Sequence, residues 1–139
     1  MASSNLTITS TVSNKDMIFE GNDGGTTITA LTLDMSAAGK ATFNNDVIAF
    51  SDRKLKKDIK TLDGSKVYDM RGVSFTRIDT GSPSSGVIAQ EMQEVAPELV
   101  SETNGTLGVS YGNITGYLIE AIKDLKQEVE ELKKQINNG

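Results

Sequence analysis

The sequence predicts an α+β chain in three parts: a Thr-rich β segment, a small mixed α/β region and a C-terminal coiled-coil helix. Three observations predict it. Before residue 50, Thr and Ser alternate with Leu, Ile and Val. Between residues 51 and 110, strand-like and helix-like patterns interleave. From residue 111, apolar residues recur in steps of four and three. The boundaries follow as 1–50, 51–110 and 111–139.

In the first part, "LTITSTV" and "TTITALTLDM" have the period-two pattern of strands with one wet face. "EGNDGG", "SAAGK" and "FNND" supply turn residues between them, and "VIAF" reads as a last short strand. A lone meander of such strands has little core and two open edges. The segment therefore reads as a slice of a longer β structure, or as strands that pack against copies of themselves.

In the second part, "DRKLKKDIKTL" reads as a short helix with Leu55, Ile59 and Leu62 on one side. "KVYDMRGVSFTRID" has strand character through Val67, Tyr68, Val73, Phe75 and Ile78. "TGSPSSG" is a loop by composition. "VIAQEMQEVAPELV" reads as an amphipathic helix, with Ile88, Met92 and Val95 inward and Pro97 closing it. "ETNGTLGVSY" reads as a turn and a short strand.

The third part is a heptad seam. Leu118, Ile122, Leu125, Val129, Leu132 and Ile136 place Ile or Val at a and Leu at d. Glu128 falls at g and Lys133 at the following e, a favourable pair between parallel helices, and Ile119 widens the stripe at e. So short a helix is marginal in water by itself. It needs partners, either copies of itself or the preceding region. Taken alone, this a/d pattern favours dimers.

Composition narrows the function. The chain has 139 residues, of which 5% are aromatic and none is Trp. That is a thin supply of bulky core residues, and burial shared between chains relieves it. The net charge of −5 argues against a nucleic-acid partner. No apolar run is long enough for a membrane span, and "MASSNLTITS" lacks the regions of a signal peptide. With no Cys and no His, disulfides, Cys/His zinc sites and His-based nucleophilic triads are excluded. Absence of a phosphate loop as well disfavours a ligand-binding enzyme, so no cofactor and no metal are expected.

One cluster stands out against this acidic background. Arg53, Lys54, Lys56, Lys57 and Lys60 follow Ser51 within ten residues. Structurally, Ser51 or Asp52 reads as the N-cap of the helix that follows. Chemically, Ser51 is a nucleophile candidate, because a neutral lysine amine takes the proton from a serine hydroxyl. Neighbouring cations and burial favour the neutral amine. Lys54, Lys56 and Lys57 are all candidate bases. Residues five apart on one helix lie about 140° apart around its axis, so a Ser51/Lys56 dyad requires Ser51 to lie outside the helix. Glu91, Glu94 and Glu98 offer a candidate metal cluster; solvated glutamates on an amphipathic helix explain them better.

Three blocks in order, "SDRKLKKDI", "GVIAQEMQEVAPELV" and "LGVSYGNITGYLIEAIKDLKQEVEELKKQI", resemble the C-terminal intramolecular chaperone domain of bacteriophage tailspikes, tail fibres and endosialidases. That family is also classed as a self-cleaving serine peptidase. The resemblance covers residues 51–137. It implies an intertwined homotrimer that aligns a β-rich fibre stem, here residues 1–50, and that overrides the dimer preference of the heptads. It also implies single-turnover autoproteolysis by a Ser/Lys dyad: cleavage of the Phe50–Ser51 bond, with Ser51 as nucleophile and Lys56 as base. Assembly is then expected in the host cytoplasm and the stem in the virion tail. The alternative is a structural or receptor-binding fibre tip that keeps its C-terminal domain.

Overall fold

The computed structural model describes residues 6–138. It contains seven strands, two α-helices and three 3₁₀ segments among those residues. β1 (Met17–Asp23), β2 (Thr26–Asp34) and β3 (Lys40–Phe43) form an antiparallel meander. β1 and β2 are joined through Gly24 and Gly25, at φ +58° and +94°. Two-residue primed turns need positive φ at both positions, and glycine adopts it without a steric cost. The β2–β3 turn is organised by Asp34, whose Oδ1 accepts from the Ala37 N–H at 2.9 Å and the Ser36 hydroxyl at 2.7 Å.

The strand register in this sheet has one break. Met17 pairs with Leu33 and Phe19 with Leu31, but Glu20 pairs with Thr29. Ala30 is the extra residue of a β-bulge, which inverts the side-chain alternation of β2 beyond it. The Thr29 hydroxyl donates to Glu20 Oε1 at 3.2 Å, which sets both on one face.

Two stretches expected as strands are irregular. Residues 6–12 and 47–50 lie outside the ladders, and Ile48 and Phe50 are 89% and 95% exposed. Alternation supplies a face, but a strand forms only when its edge finds a second edge.

The helix expected over 52–62 is reduced to one 3₁₀ turn, Arg53–Leu55. Asp58 has φ +53°, a left-handed conformation that no α-helix contains. Leu55, Ile59 and Leu62 are accordingly exposed and do not share a helix face. A second 3₁₀ segment, Gly64–Asp69, follows; Asp63 caps it, its Oδ1 accepting from the Ser65 N–H at 3.0 Å. This segment takes up Val67 and Tyr68, which composition had suggested as strand.

β4 (Val73–Thr76) pairs with β5 (Pro83–Gly86) in an antiparallel hairpin. "TGSPSSG" is thus half turn and half strand: Gly81, at φ +68°, makes the reversal, and backbone pairing recruits the polar residues after it. α1 (Ala89–Val95) ends before Pro97, as expected, and runs into the 3₁₀ turn Pro97–Leu99. β6 (Val100–Thr103) and β7 (Thr106–Val109) form a hairpin through Asn104–Gly105, both at positive φ. α2 (Tyr111–Asn137) is a continuous helix of 27 residues.

The chain divides into two units. One holds the described residues up to Leu55 together with Arg77–Ser82; the other holds Lys56–Thr76 and the chain from Pro83 onward. All buried apolar side chains among the described residues lie in the second unit. Met92, Ala96, Leu99 and Tyr117 form the core, with Val67, Met70, Val87, Val100, Val109 and Ile114 packed around it. Among the described residues of the first unit, none is buried.

Candidate functional site

The second unit is assembled on one stripe of α2. Ile114, Tyr117 and Ala121, spaced three and four apart, face the core. Gly64 approaches this stripe so closely that a Cβ there would lie 2.7 Å from the Glu120 carbonyl carbon and 2.8 Å from the Ala121 Cα. Two residues earlier, Leu62 Cδ1 lies 2.9 Å from the point a Cβ on Gly116 would occupy. The chain leading from Lys56 is therefore fastened to α2 at Leu62 and Gly64. At the far end of the unit, the Tyr111 hydroxyl accepts from the Val87 N–H at 3.3 Å. That ties the α2 N-terminus to the strand-to-helix junction before α1.

A polar cluster sits on the same stripe. The Tyr117 hydroxyl donates to Glu98 Oε1, and Lys66 Nζ lies 5.9 Å from the centre of the Tyr117 ring. The hydrogen bond holds the Glu98 carboxyl below the usual range, aided by a backbone hydrogen bond. It also pushes the Tyr117 hydroxyl up to about 12. Glu91 meets Arg71 instead: the Arg71 guanidinium donates to both carboxylate oxygens and holds that carboxyl below its ordinary range. Two of the three glutamates weighed as metal ligands are thus engaged with different partners. No group of three or more acidic residues able to hold a metal exists among the described residues.

Sequence reasoning missed Gly64 and Tyr117. The signal for Tyr117 was present: Ile114, Tyr117 and Ala121 form a second stripe beside the heptads. Gly64 sits among turn residues, and nothing local in "LDGSK" distinguishes a packing glycine from a loop glycine.

The heptad seam is a different stripe of α2, and it is not covered. Leu118, Leu125, Val129 and Leu132 are 44–56% exposed, while Ile122 and Ile136 reach 65% and 78%. The helix does pack on its own domain, but through Ile114, Tyr117 and Ala121. Its a/d face stays open. On the polar flank, Lys126 pairs with Glu130 at 3.8 Å in the i,i+4 arrangement.

The candidate cleavage residues lie on exposed, irregular chain. Phe50 is 95% exposed. Asp52 caps the 3₁₀ turn: its Oδ1 accepts from the Lys54 N–H at 2.9 Å, and its carbonyl accepts from the Leu55 N–H at 3.1 Å. Ser51 therefore lies outside the helical turn, and Lys56 follows the turn's last residue. The objection from continuous-helix geometry falls away, because the helix ends at Leu55. Arg53, Lys54, Lys57 and Lys60 are exposed as well.

Residues 51–101 match the family model described as chaperone of endosialidase. Over 112 residues the chain is 35% identical to the long tail fiber protein Gp37 of Salmonella phage S16, covering 70% of this chain and 15% of that protein. It is 32% identical over 98 residues to Gp37 of Enterobacteria phage K3, covering 62% of this chain and 8% of that protein. With Gp37 of Enterobacteria phage M1 it is 31% identical over 102 residues, 64% of this chain and 41% of that protein. The chain spans 8–41% of the length of these relatives. Residues 51–101 are thus similar to the chaperone-of-endosialidase family.

Proposed function

We propose that this chain is the self-releasing assembly chaperone of a phage fibre. Three copies associate through α2, align the β segment that precedes residue 51, and then cut the Phe50–Ser51 bond. The observation that carries this reading is the open heptad seam on a helix whose other stripe is already buried in its own domain. Similarity of residues 51–101 to a family of self-cleaving peptidases supports the cutting step, and relatives named as tail fibre proteins support the setting.

The chemistry proposed for the cut balances. The Lys56 amine takes the proton of the Ser51 hydroxyl, and Oγ adds to the Phe50 carbonyl carbon. The amide bond breaks, the departing Ser51 amine takes up the proton, and Phe50 is left as an ester on Oγ. Water then hydrolyses that ester to a Phe50 carboxylate and restores the hydroxyl. Lys56 lies exposed in a single chain, and neighbouring copies are what close the site around it. Cutting then waits for assembly.

The physical benefit lies in register. β segments paired between chains form slowly and slip easily. Joining the C-termini raises their mutual concentration to about millimolar. Removing the clasp afterwards leaves a stem held by its unfolding barrier. Incubating the purified chain and analysing it by denaturing gel and mass spectrometry tests this reading. A fragment beginning at Ser51, absent in Ser51→Ala and Lys56→Ala, is expected. A wild-type trimer that stays intact indefinitely would instead favour a fibre tip that retains its C-terminal domain.

A further inference from the structure

The register of the β1–β2–β3 sheet separates its two faces sharply. Met17, Leu33 and Ala41 form one row across the three strands, and Phe19, Leu31 and Phe43 form the next. Because the Ala30 bulge inverts the alternation of β2, Ile28, paired with Gly21, joins the same face. Without that bulge Thr29 would stand there. The opposite face carries Ile18, Thr32 and Thr42, then Glu20 and Thr29. So one face is continuously apolar and the other mostly hydroxyl and carboxylate. The apolar face is only partly covered: Met17, Leu31 and Leu33 are half-buried, while Phe19 and Phe43 are 45% and 49% exposed and Ile28 37%.

We propose that this apolar face is a self-packing surface, occupied by the same face of neighbouring copies of this chain. Size selects the occupant. Three strands about 4.8 Å apart and five residues long make a face of about 15 by 17 Å. That is roughly 250 Å², where a free-standing partner needs about 800 Å² per side. The face cannot hold a separate protein by itself. It can hold a partner already kept close by another contact, and the α2 seam supplies such a contact only to copies of the same chain. At about millimolar effective concentration, a few apolar side chains suffice. The inference thus rests on the self-association proposed above and adds the surface on which the β segments meet.

The chain has no cysteine, so single cysteines report cleanly. In a Ser51→Ala background, which keeps chains whole, Leu31→Cys is compared with Thr32→Cys on the opposite face. Packed sheets face one another about 10 Å apart, so the probe is a bismaleimide of that span. Light scattering first gives the mass of each uncross-linked variant. The expected result is a trimer whose Leu31→Cys form yields covalent dimers on a denaturing gel, the largest product one cysteine per chain allows, and whose Thr32→Cys form stays monomeric there. If Leu31→Cys disturbs folding, Ala41→Cys against Thr42→Cys makes the same comparison with a smaller change. Trimers that cross-link on neither face, equally on both, or better through Thr32 would overturn the face assignment and leave the trimer standing. A monomeric mass for the Ser51→Ala chain would remove the self-association reading and this inference with it.

Discussion

Replacing Gly64 with Ala tests the packing that anchors the Lys56 segment. The added methyl would meet the Glu120 carbonyl carbon at 2.7 Å and the Ala121 Cα at 2.8 Å. Both are backbone atoms of α2, which no rotamer change moves. Ordinary contact begins near 3.5 Å, so the 3₁₀ segment has to lift from the helix by about 0.7 Å or more. Overpacking of this kind costs about 1–3 kcal/mol. For a unit of this size, about 2 kcal/mol lowers the melting temperature by roughly 10 °C. Circular dichroism at fixed protein concentration measures it. The control is Gly72→Ala, since nothing lies within 4 Å of a Cβ there, and it should melt within a few degrees of wild type. If Gly64→Ala also melts with wild type, the close approach to α2 is wrong. The fastening of the 56–64 segment would go with it. If the approach is right, Gly64→Ala should also slow cleavage at temperatures where the domain is still folded.

Acid and alkali should each loosen the Glu98–Tyr117 pair. Glu98 is held below its ordinary 4.5, so its contribution is present above that value and is lost as pH falls through the folded value. Tyr117 is raised from 10.0 to about 12, so its contribution is present below pH 10 and is lost between there and 12. Glu98→Gln should flatten the acid limb of a stability-versus-pH curve without altering the fold seen by circular dichroism. Arg71→Ala breaks an exposed ion pair and should leave the chemical-denaturation midpoint close to wild type. Leu125→Glu with Val129→Glu charges the open seam and leaves the core stripe intact. Light scattering should report a monomer and circular dichroism a domain that is still folded. Loss of the domain fold as well would mean that the seam is part of the domain's own core.

The elements that could be read from the sequence were those fixed by local pattern. α2 followed from its 3.5-residue apolar period, the end of α1 from Pro97, and the β6–β7 turn from Asn104–Gly105. Elements that depend on pairing were misread. "LTITSTV" has the alternation of a strand and "VIAF" its apolar run, but neither has an edge to join among the described residues, whereas Pro83–Gly86 has no strand character and becomes one because β4 lies beside it. The helix expected over 52–62 failed at one residue, Asp58, whose left-handed backbone no periodicity test detects. For the site, spacing alone left Lys54, Lys56 and Lys57 equivalent, and only resemblance to the chaperone family singled out Lys56. The second stripe of α2 was visible in principle, yet its meaning needed the structure. Only there does the core use Ile114, Tyr117 and Ala121 and leave the heptad positions unoccupied.

The account stands or falls on whether the clasp precedes the cut. Diluting purified chain across its association range, and following both mass by light scattering and the Ser51 fragment by mass spectrometry, measures this directly. Cleavage should appear only at concentrations where the trimer forms, and it should vanish in the Leu125→Glu, Val129→Glu variant. Equal cleavage in a monomer, at every dilution, would contradict it.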